Sequence, residues 1–395
     1  MSDQKNENKE FIPLSVPSIT GNEWKNIKEC LDTNWVSSVG SYVNDFERAV
    51  SEYTGAEYAV AMVNGTAAIH ISLILAGVER GDEVIMPALT FVSPANCVKY
   101  VGAIPLFMDV ESEFFQIDTV KLRSFLEKNC EFKVDGRVYN KFTGRKISAI
   151  IPVDLLGHPA NLEEINILAE QYNLKVIEDA TESLGAEYKG KKLGTFSDIS
   201  CFSFNGNKII TTGGGGMLVT DNHEYAEKAR YLSQQAKDDP VEYYHKEIGY
   251  NYRLTNIQAA MGCAQMEQLD SFIEKKRFIA DRYSSNLSDV PGITCPGEAG
   301  HVKSTFWLYT IQVDKGGFGL SARELMKLLQ SKKIQTRPLW YPLNSLPYFK
   351  DSFAFDLENV ENIHRDSLSI PCSVDITVEQ LQRVINEIKE AQIGK

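Results

Sequence analysis

Between residues 56 and 220 the chain alternates short apolar runs with helical patterns, and this constrains the fold more than any other feature. "EYAVAMV" reads as a buried strand, "NGT" breaks it, and "AAIHISLILAGV" reads as a helix closing near Gly77. "DEVIMP" and "AIPLFMDV" are further strands on either side of the helical "SPANCVKYVG". "ISAIIPVDLLG" and "NLKVIEDA" follow, separated by the helix-like "NLEEINILAEQYN", and "GMLVTDN" forms a final strand. Alternation at this spacing predicts an α/β fold around a mostly parallel sheet covered on both faces. Such sheets bind ligands at the carboxyl ends of their strands.

After Met217 the pattern changes. The stretch "TNIQAAMGCAQMEQLDSFIEKKRFIADRYSSNL" reads as helical up to a Pro-Gly turn at 291–292. "FWLYTIQVD", the amphipathic "SARELMKLLQSKK" and the last helix "TVEQLQRVINEIKEAQ" suggest a smaller α+β domain. The expected division is a tail over residues 1–10, a large domain over 11–270 and a small domain over 271–395. Residues 11–50 are expected to pack near the small domain. The insert "NCEFKVDGRVYNKFTGRKIS" has hairpin character, with Asp135-Gly136 as a turn.

Three local features fall at predicted strand ends. In "VNGTAAI", Gly65 and Thr66 open a helix whose free N–H groups suit a phosphate or carboxylate, although "NGT" is also an ordinary way to begin a helix. In "KVIEDATES", Asp179 follows an apolar strand directly, so its carboxylate needs a cationic or hydrogen-bonding partner. Capping of a following helix is the competing role. In "DISCFSFNGNKIITTGGGGM", Lys208 stands between an apolar strand and four consecutive glycines, unlike the solvated Lys191 and Lys192 of "KGKKLG". A Walker loop requires lysine directly after glycine and then a hydroxyl residue. Here Asn207 precedes Lys208 and Ile209 follows it, so that reading fails.

A lysine, a buried acid and a phosphate-binding helix start are together what pyridoxal 5′-phosphate uses. The amine bonds the aldehyde, the carboxylate partners the pyridine nitrogen so that the ring acts as an electron sink, and the helix start holds the phosphate.

Four longer segments carry a resemblance over nearly the whole chain. They are "VNGTAAIHISLILAGVERGDEVIMPALTFVSPAN", "VIEDATESLGA", "GTFSDISCFSFNGNKIITTGGGGMLVTDN" and "GYNYRLTNIQAAMG". In these the chain resembles the nucleotide-sugar aminotransferases of the DegT/DnrJ/EryC1/StrS group. The resemblance implies the PLP-dependent transferase fold type I, with a mostly parallel seven-stranded sheet flanked by helices and a smaller C-terminal α+β domain. It implies that Lys208 holds the cofactor and later moves a proton, and that Asp179 partners the ring nitrogen. Gly65, Thr66 and Ser203 are implied at the phosphate, Phe91 against the ring and Glu182 near the ring hydroxyl. Asn251 is implied to reach the phosphate from the neighbouring subunit of a homodimer. Trp35, Ser37, Arg253 and Tyr341 are candidate substrate contacts.

"LSVPSITGNEWKNIKECLDTNWVSSVG" and "EDATESLG" look most like the branch making 4-amino-4,6-dideoxy-N-acetylhexosamines, including bacillosamine-type and legionaminic-acid-pathway enzymes. The implied reaction is amination of the C4 ketone of a nucleotide-linked 4-keto-6-deoxy-N-acetylhexosamine, with L-glutamate as donor and pyridoxamine 5′-phosphate in the half-reaction. Two departures stand out. Glu182 occupies a position that is Gln or His in many members, and four glycines replace the usual G-E-G-G. The sugar 3-dehydratase relatives carry histidine in place of the lysine, so Lys208 favours transamination over dehydration.

Composition narrows the alternatives. A net charge of −12 over 395 residues argues against nucleic-acid binding. Seven widely spaced cysteines without a C-x-x-C suggest neither a disulfide framework nor a metal site, and point to a reducing cytoplasm. No apolar run approaches the roughly 20 residues of a membrane span. A non-enzymatic regulator on the same fold is the reading from a different functional class.

Overall fold

Seven strands from the alternating region build the central sheet of the computed structural model, which describes residues 10–239 and 241–392. They are β1 Tyr58–Met62, β2 Glu83–Pro87, β3 Ile104–Met108, β4 Ile147–Ile150, β5 Lys175–Asp179, β6 Ile199–Ser203 and β7 Gly216–Thr220. Their order across the sheet is β1-β7-β6-β5-β4-β2-β3. From β6 to β3 every neighbouring pair is parallel, whereas β7 runs antiparallel to both β1 and β6. The tail expected over residues 1–10 lies, apart from the exposed Glu10, outside the described residues.

The strands are mostly apolar because both faces are buried. Val84, Met86 and Phe107 join one core, while their neighbours Ile85, Leu106 and Met108 join the other. Helix Gly65–Leu75 follows β1 and buries most of its circumference. All seven cysteines are free thiols.

The sheet has eight strands rather than the implied seven. Ala354–Phe355 pairs parallel with β3 at Phe107 and Met108, covering backbone groups that a bare edge would leave open. Asp109, fully buried at the end of β3, fixes this segment. It accepts from the N–H groups of Glu358, Asn359 and Val360 and from Lys121 Nζ at 2.8 Å. The pairing is remote in sequence and has no local pattern.

Ile293–Thr294, Tyr309–Val313 and Ser367–Ile370 form a second, antiparallel sheet. Helices Ala322–Ser331 and Val378–Glu390 begin with reciprocal capping boxes at Ser321 and Thr377. The stretch read as one long helix is two, Asn256–Met266 and Leu269–Leu287, and the second packs against Val378–Glu390. At the break, the Gln268 side chain bonds Glu23 and Thr20. Residues 11–50 divide their contacts. Ile12 bridges Ile334 and Leu14 accepts from Cys372 N, while helices Glu23–Asp32 and Ser41–Thr54 pack on Asn256–Met266. The insert is a hairpin, with Cys130–Phe132 antiparallel to Val138–Asn140.

Candidate active site

The carboxyl ends of β1, β5 and β6 open into a cleft of about 400 Å3. Each of the three sequence features contributes to it. Asn64, at the end of β1, caps the following helix by accepting from Ala67 N at 2.7 Å, leaving the first N–H groups of Gly65 and Thr66 at the cleft. Thr66 Oγ1 and Ser93 Oγ lie 2.6 Å apart. Asp179 closes β5, Ser203 closes β6, and Lys208 sits in the turn after β6.

This helix start is a cradle that side chains would fill. A Cβ on Gly65 would stand 3.0 Å from Ser203 Cβ and 3.1 Å from Thr181 Cγ2. Two glycines of the run meet specific backbone demands. Gly216 pairs with both Met62 and Ser203, and a Cβ there would stand 2.4 Å from Asn64 C and 2.6 Å from Gly65 N. Gly213 has φ +76°, in the left-handed region. Gly216 therefore lets β7 press against the helix start, and Gly213 turns the chain into β7.

Three ionisable groups are enclosed together. Lys208 Nζ lies 3.6 Å from Glu182 Oε1, with side-chain exposures of 13% and 4%. Glu182 Oε2 accepts from Leu156 N at 2.8 Å. Asp179 Oδ1 accepts from Thr181 N at 3.2 Å, and no helix begins directly after it, so its local capping is confined to a turn. Burial pushes the Glu182 carboxyl up to about 7 against the pull of Lys208. Burial also raises Asp179, countered by its Thr181 bonds and by Lys208. The Lys208 amine is lowered by burial, partly offset by Glu182 and Asp179. Asp179, buried in the cleft with an amine that Glu182 also faces, could take a protonated pyridine nitrogen as its partner. The donor set and the cradle fit pyridoxal 5′-phosphate.

A profile of the DegT/DnrJ/EryC1/StrS aminotransferase family matches residues 17–389. The chain belongs to this family. It is an aminotransferase, and its cofactor is pyridoxal 5′-phosphate. The chain is 38% identical over 380 residues to a GDP-perosamine synthase of Escherichia coli O157:H7, covering 96% of this aminotransferase and 98% of the relative. It is 40% identical over 378 residues to the putative pyridoxal phosphate-dependent aminotransferase EpsN of Bacillus subtilis strain 168, covering 95% and 94%. Helicobacter pylori PseC, an aminotransferase of pseudoaminic acid biosynthesis, superposes with a TM-score of 0.87 at 25% identity, covering 97% and 99% of the two chains. These relatives do not single out the bacillosamine or legionaminic-acid branch.

Of the other candidates in this aminotransferase, Phe91 lines the cleft edge-on to Trp340, with ring centroids 6.5 Å apart. Asn251, Trp35, Ser37, Arg253 and Tyr341 lie outside the cleft of their own chain. Asn251 is exposed and bridges Gln234. Trp35 and Arg253 line a separate surface hollow, and the Ser37 carbonyl accepts from Asn256 N at 2.6 Å. Tyr341 is 68% exposed and leans on His364. Sequence reasoning missed Trp307 as a site residue. It lies within "FWLYTIQVD", where an aromatic at a strand start reads as core, and only the fold brings it beneath Lys208. Trp340 falls inside "RPLWYPLN", whose tyrosine rather than tryptophan was the candidate. Among the described residues no group of three or more His, Cys, Asp or Glu is placed to hold a metal, and no helix is long and apolar enough to cross a membrane.

Proposed function

We infer that this protein transfers an amino group from L-glutamate to the C4 ketone of a nucleotide-linked 4-keto-6-deoxyhexose. The observation that carries the reading is the enclosure of Lys208 Nζ with Glu182 and Asp179 in the cleft that the Gly65–Thr66 helix start opens onto. Pyridoxal phosphate, when bound, supplies the electron sink through which an amino group and a proton pass between donor and acceptor carbons. Asp179 would partner the ring nitrogen and favour its charged form, Gly65, Thr66 and Ser203 would hold the phosphate, and Phe91 would pack against the ring. Lys208 Nζ would hold the cofactor by its aldehyde and, once released, is the amine placed to move a proton at the reacting carbon of whichever substrate is bound. Burial raises the Glu182 carboxyl to about 7, which favours its protonated form and would lessen its repulsion of a ring hydroxyl.

The similarity to a GDP-perosamine synthase supports a GDP-linked acceptor. The "EDATESLG" segment supports a 4-keto-6-deoxy-N-acetylhexosamine on UDP or GDP. Asn251, Trp35, Ser37 and Arg253 serve the cleft of a partner copy in this reading. Beside Asn251, Val241, Tyr243, Tyr244 and Ile248 expose apolar surface of the kind an interface covers.

The test is a panel of 4-keto sugar nucleotides, UDP- and GDP-linked, with and without the acetamido group, each incubated with glutamate. The expected result is 2-oxoglutarate formed stoichiometrically with one amino sugar. Turnover without glutamate consumption would assign a dehydratase instead, and no turnover with any acceptor sinks the proposal.

A further inference from the structure

Two groups hold Lys208 Nζ, and they arrive from distant parts of the chain. One is Glu182, at 3.6 Å; the other is the face of Trp307, whose ring centroid lies 4.0 Å from Nζ. Trp307 is 3% exposed, and its indole N–H donates to the Asn207 carbonyl at 2.7 Å, tying the ring to the residue before Lys208.

The backbone of Trp307 is itself anchored. Lys276 Nζ donates to the carbonyls of Trp307 at 2.8 Å and Cys372 at 2.6 Å. Lys276 is 2% exposed and forms no ion pair with a carboxylate among the described residues. Two carbonyls and the Cys372 Sγ, 3.5 Å away, replace water around this buried amine, and without a carboxylate partner the arrangement stabilises little by itself. What it does is fix the position of Trp307. A single turn then braces both partners of Lys208. Leu156 N donates to Glu182 Oε2, while the next residue, Gly157, accepts from Thr305 N at 3.0 Å and Ser304 Oγ at 2.9 Å. Gly157 has φ +91°, and a Cβ there would stand 2.3 Å from Thr305 Oγ1 and 2.9 Å from Trp307 N.

We propose that Trp307 is a positioning residue for the free amine of Lys208, supported by Lys276 and by the Leu156–Gly157 turn. An indole face attracts an ammonium, so the ring favours Nζ after it has taken its proton and keeps it beside Glu182. The charged groups facing Nζ are Glu182 and Asp179, and Trp307 adds attraction without adding a titrating group. The proposal rests on the transaminase reading only in giving Lys208 work as a base.

The test is trace acetylation of the full-length, cofactor-free chain with acetic anhydride across pH, read at Lys208 and at the exposed Lys25 by peptide mass spectrometry. Trp307→Leu is expected to lower the Lys208 labelling midpoint by about 0.5 or more in pH and to leave Lys25 unchanged, while Trp307→Phe stays near the parent. In the cofactor-loaded enzyme Trp307→Leu is expected to lower kcat about tenfold or more with KM nearly constant, and Trp307→Phe to recover most of it. Trp307→Met replaces the leucine variant if that does not fold. An unchanged midpoint, or a phenylalanine variant as impaired as the leucine one, overturns the proposal. If no sugar nucleotide is aminated the function is wrong, yet the labelling midpoint still decides the role of Trp307.

Discussion

Lys208 Nζ lies 3.6 Å from Glu182 Oε1, with both side chains almost withdrawn from water. An amine and an acid so enclosed share control of one another's protonation, because burial disfavours the charge on each while their attraction favours both charges. The consequences can be measured.

Lys208→Ala is expected to lower turnover at least about a thousandfold, because the covalent link and the proton carrier go together. Borohydride reduction followed by mass spectrometry should fix pyridoxal phosphate on Lys208 in the parent and nowhere in the variant. A variant aminating near the parent rate removes Lys208 from the chemistry.

Asp179→Asn is expected to leave circular dichroism unchanged and to lower the rate roughly 100-fold or more, since a neutral amide no longer holds the ring nitrogen charged. Near-parent activity would return Asp179 to its turn-forming bond with Thr181.

The pH dependence of stability follows from Glu182. Its carboxyl is raised from 4.5 to about 7 in the fold, so the fold favours the protonated form. The associated stability is fully present below the unfolded value and is lost as pH rises through about 7. Melting temperatures of the cofactor-free chain should therefore fall between these limits relative to Glu182→Gln, which cannot titrate. Parallel curves for the two proteins would contradict this.

Gly216→Ala is expected to destabilise the protein by about 1–3 kcal/mol, because its Cβ meets backbone that cannot move aside. It should also weaken pyridoxal phosphate binding by displacing Gly65. Gly213→Ala should cost about 1 kcal/mol through its positive φ alone and leave cofactor affinity unchanged. Denaturant melts and cofactor titrations separate the two.

Mixing Lys208→Ala with Asn251→Ala protein tests the shared site. One subunit would supply the lysine and the other the asparagine, so the mixture should be more active than either variant alone. Strict additivity would confine Asn251 to its own chain.

By itself the sequence determined the parallel sheet and three of the site's groups. Strand periodicity locates strand ends whatever the rest of the chain does: Asp179 closes β5, Gly65 opens the helix just beyond β1, and Lys208 lies in the turn after β6. The same local reading made one helix of 255–287 and showed no strand at 354–355, because neither the break at Gln268 nor a two-residue edge strand has a repeating pattern. Only the tertiary structure decided what surrounds the lysine. Trp307 and Trp340 reach the cleft from the C-terminal part of the chain, and the need for glycine at 216 appears only where β7 meets the helix start. Close approach between distant segments depends on how elements pack, and packing leaves no spacing rule along the chain.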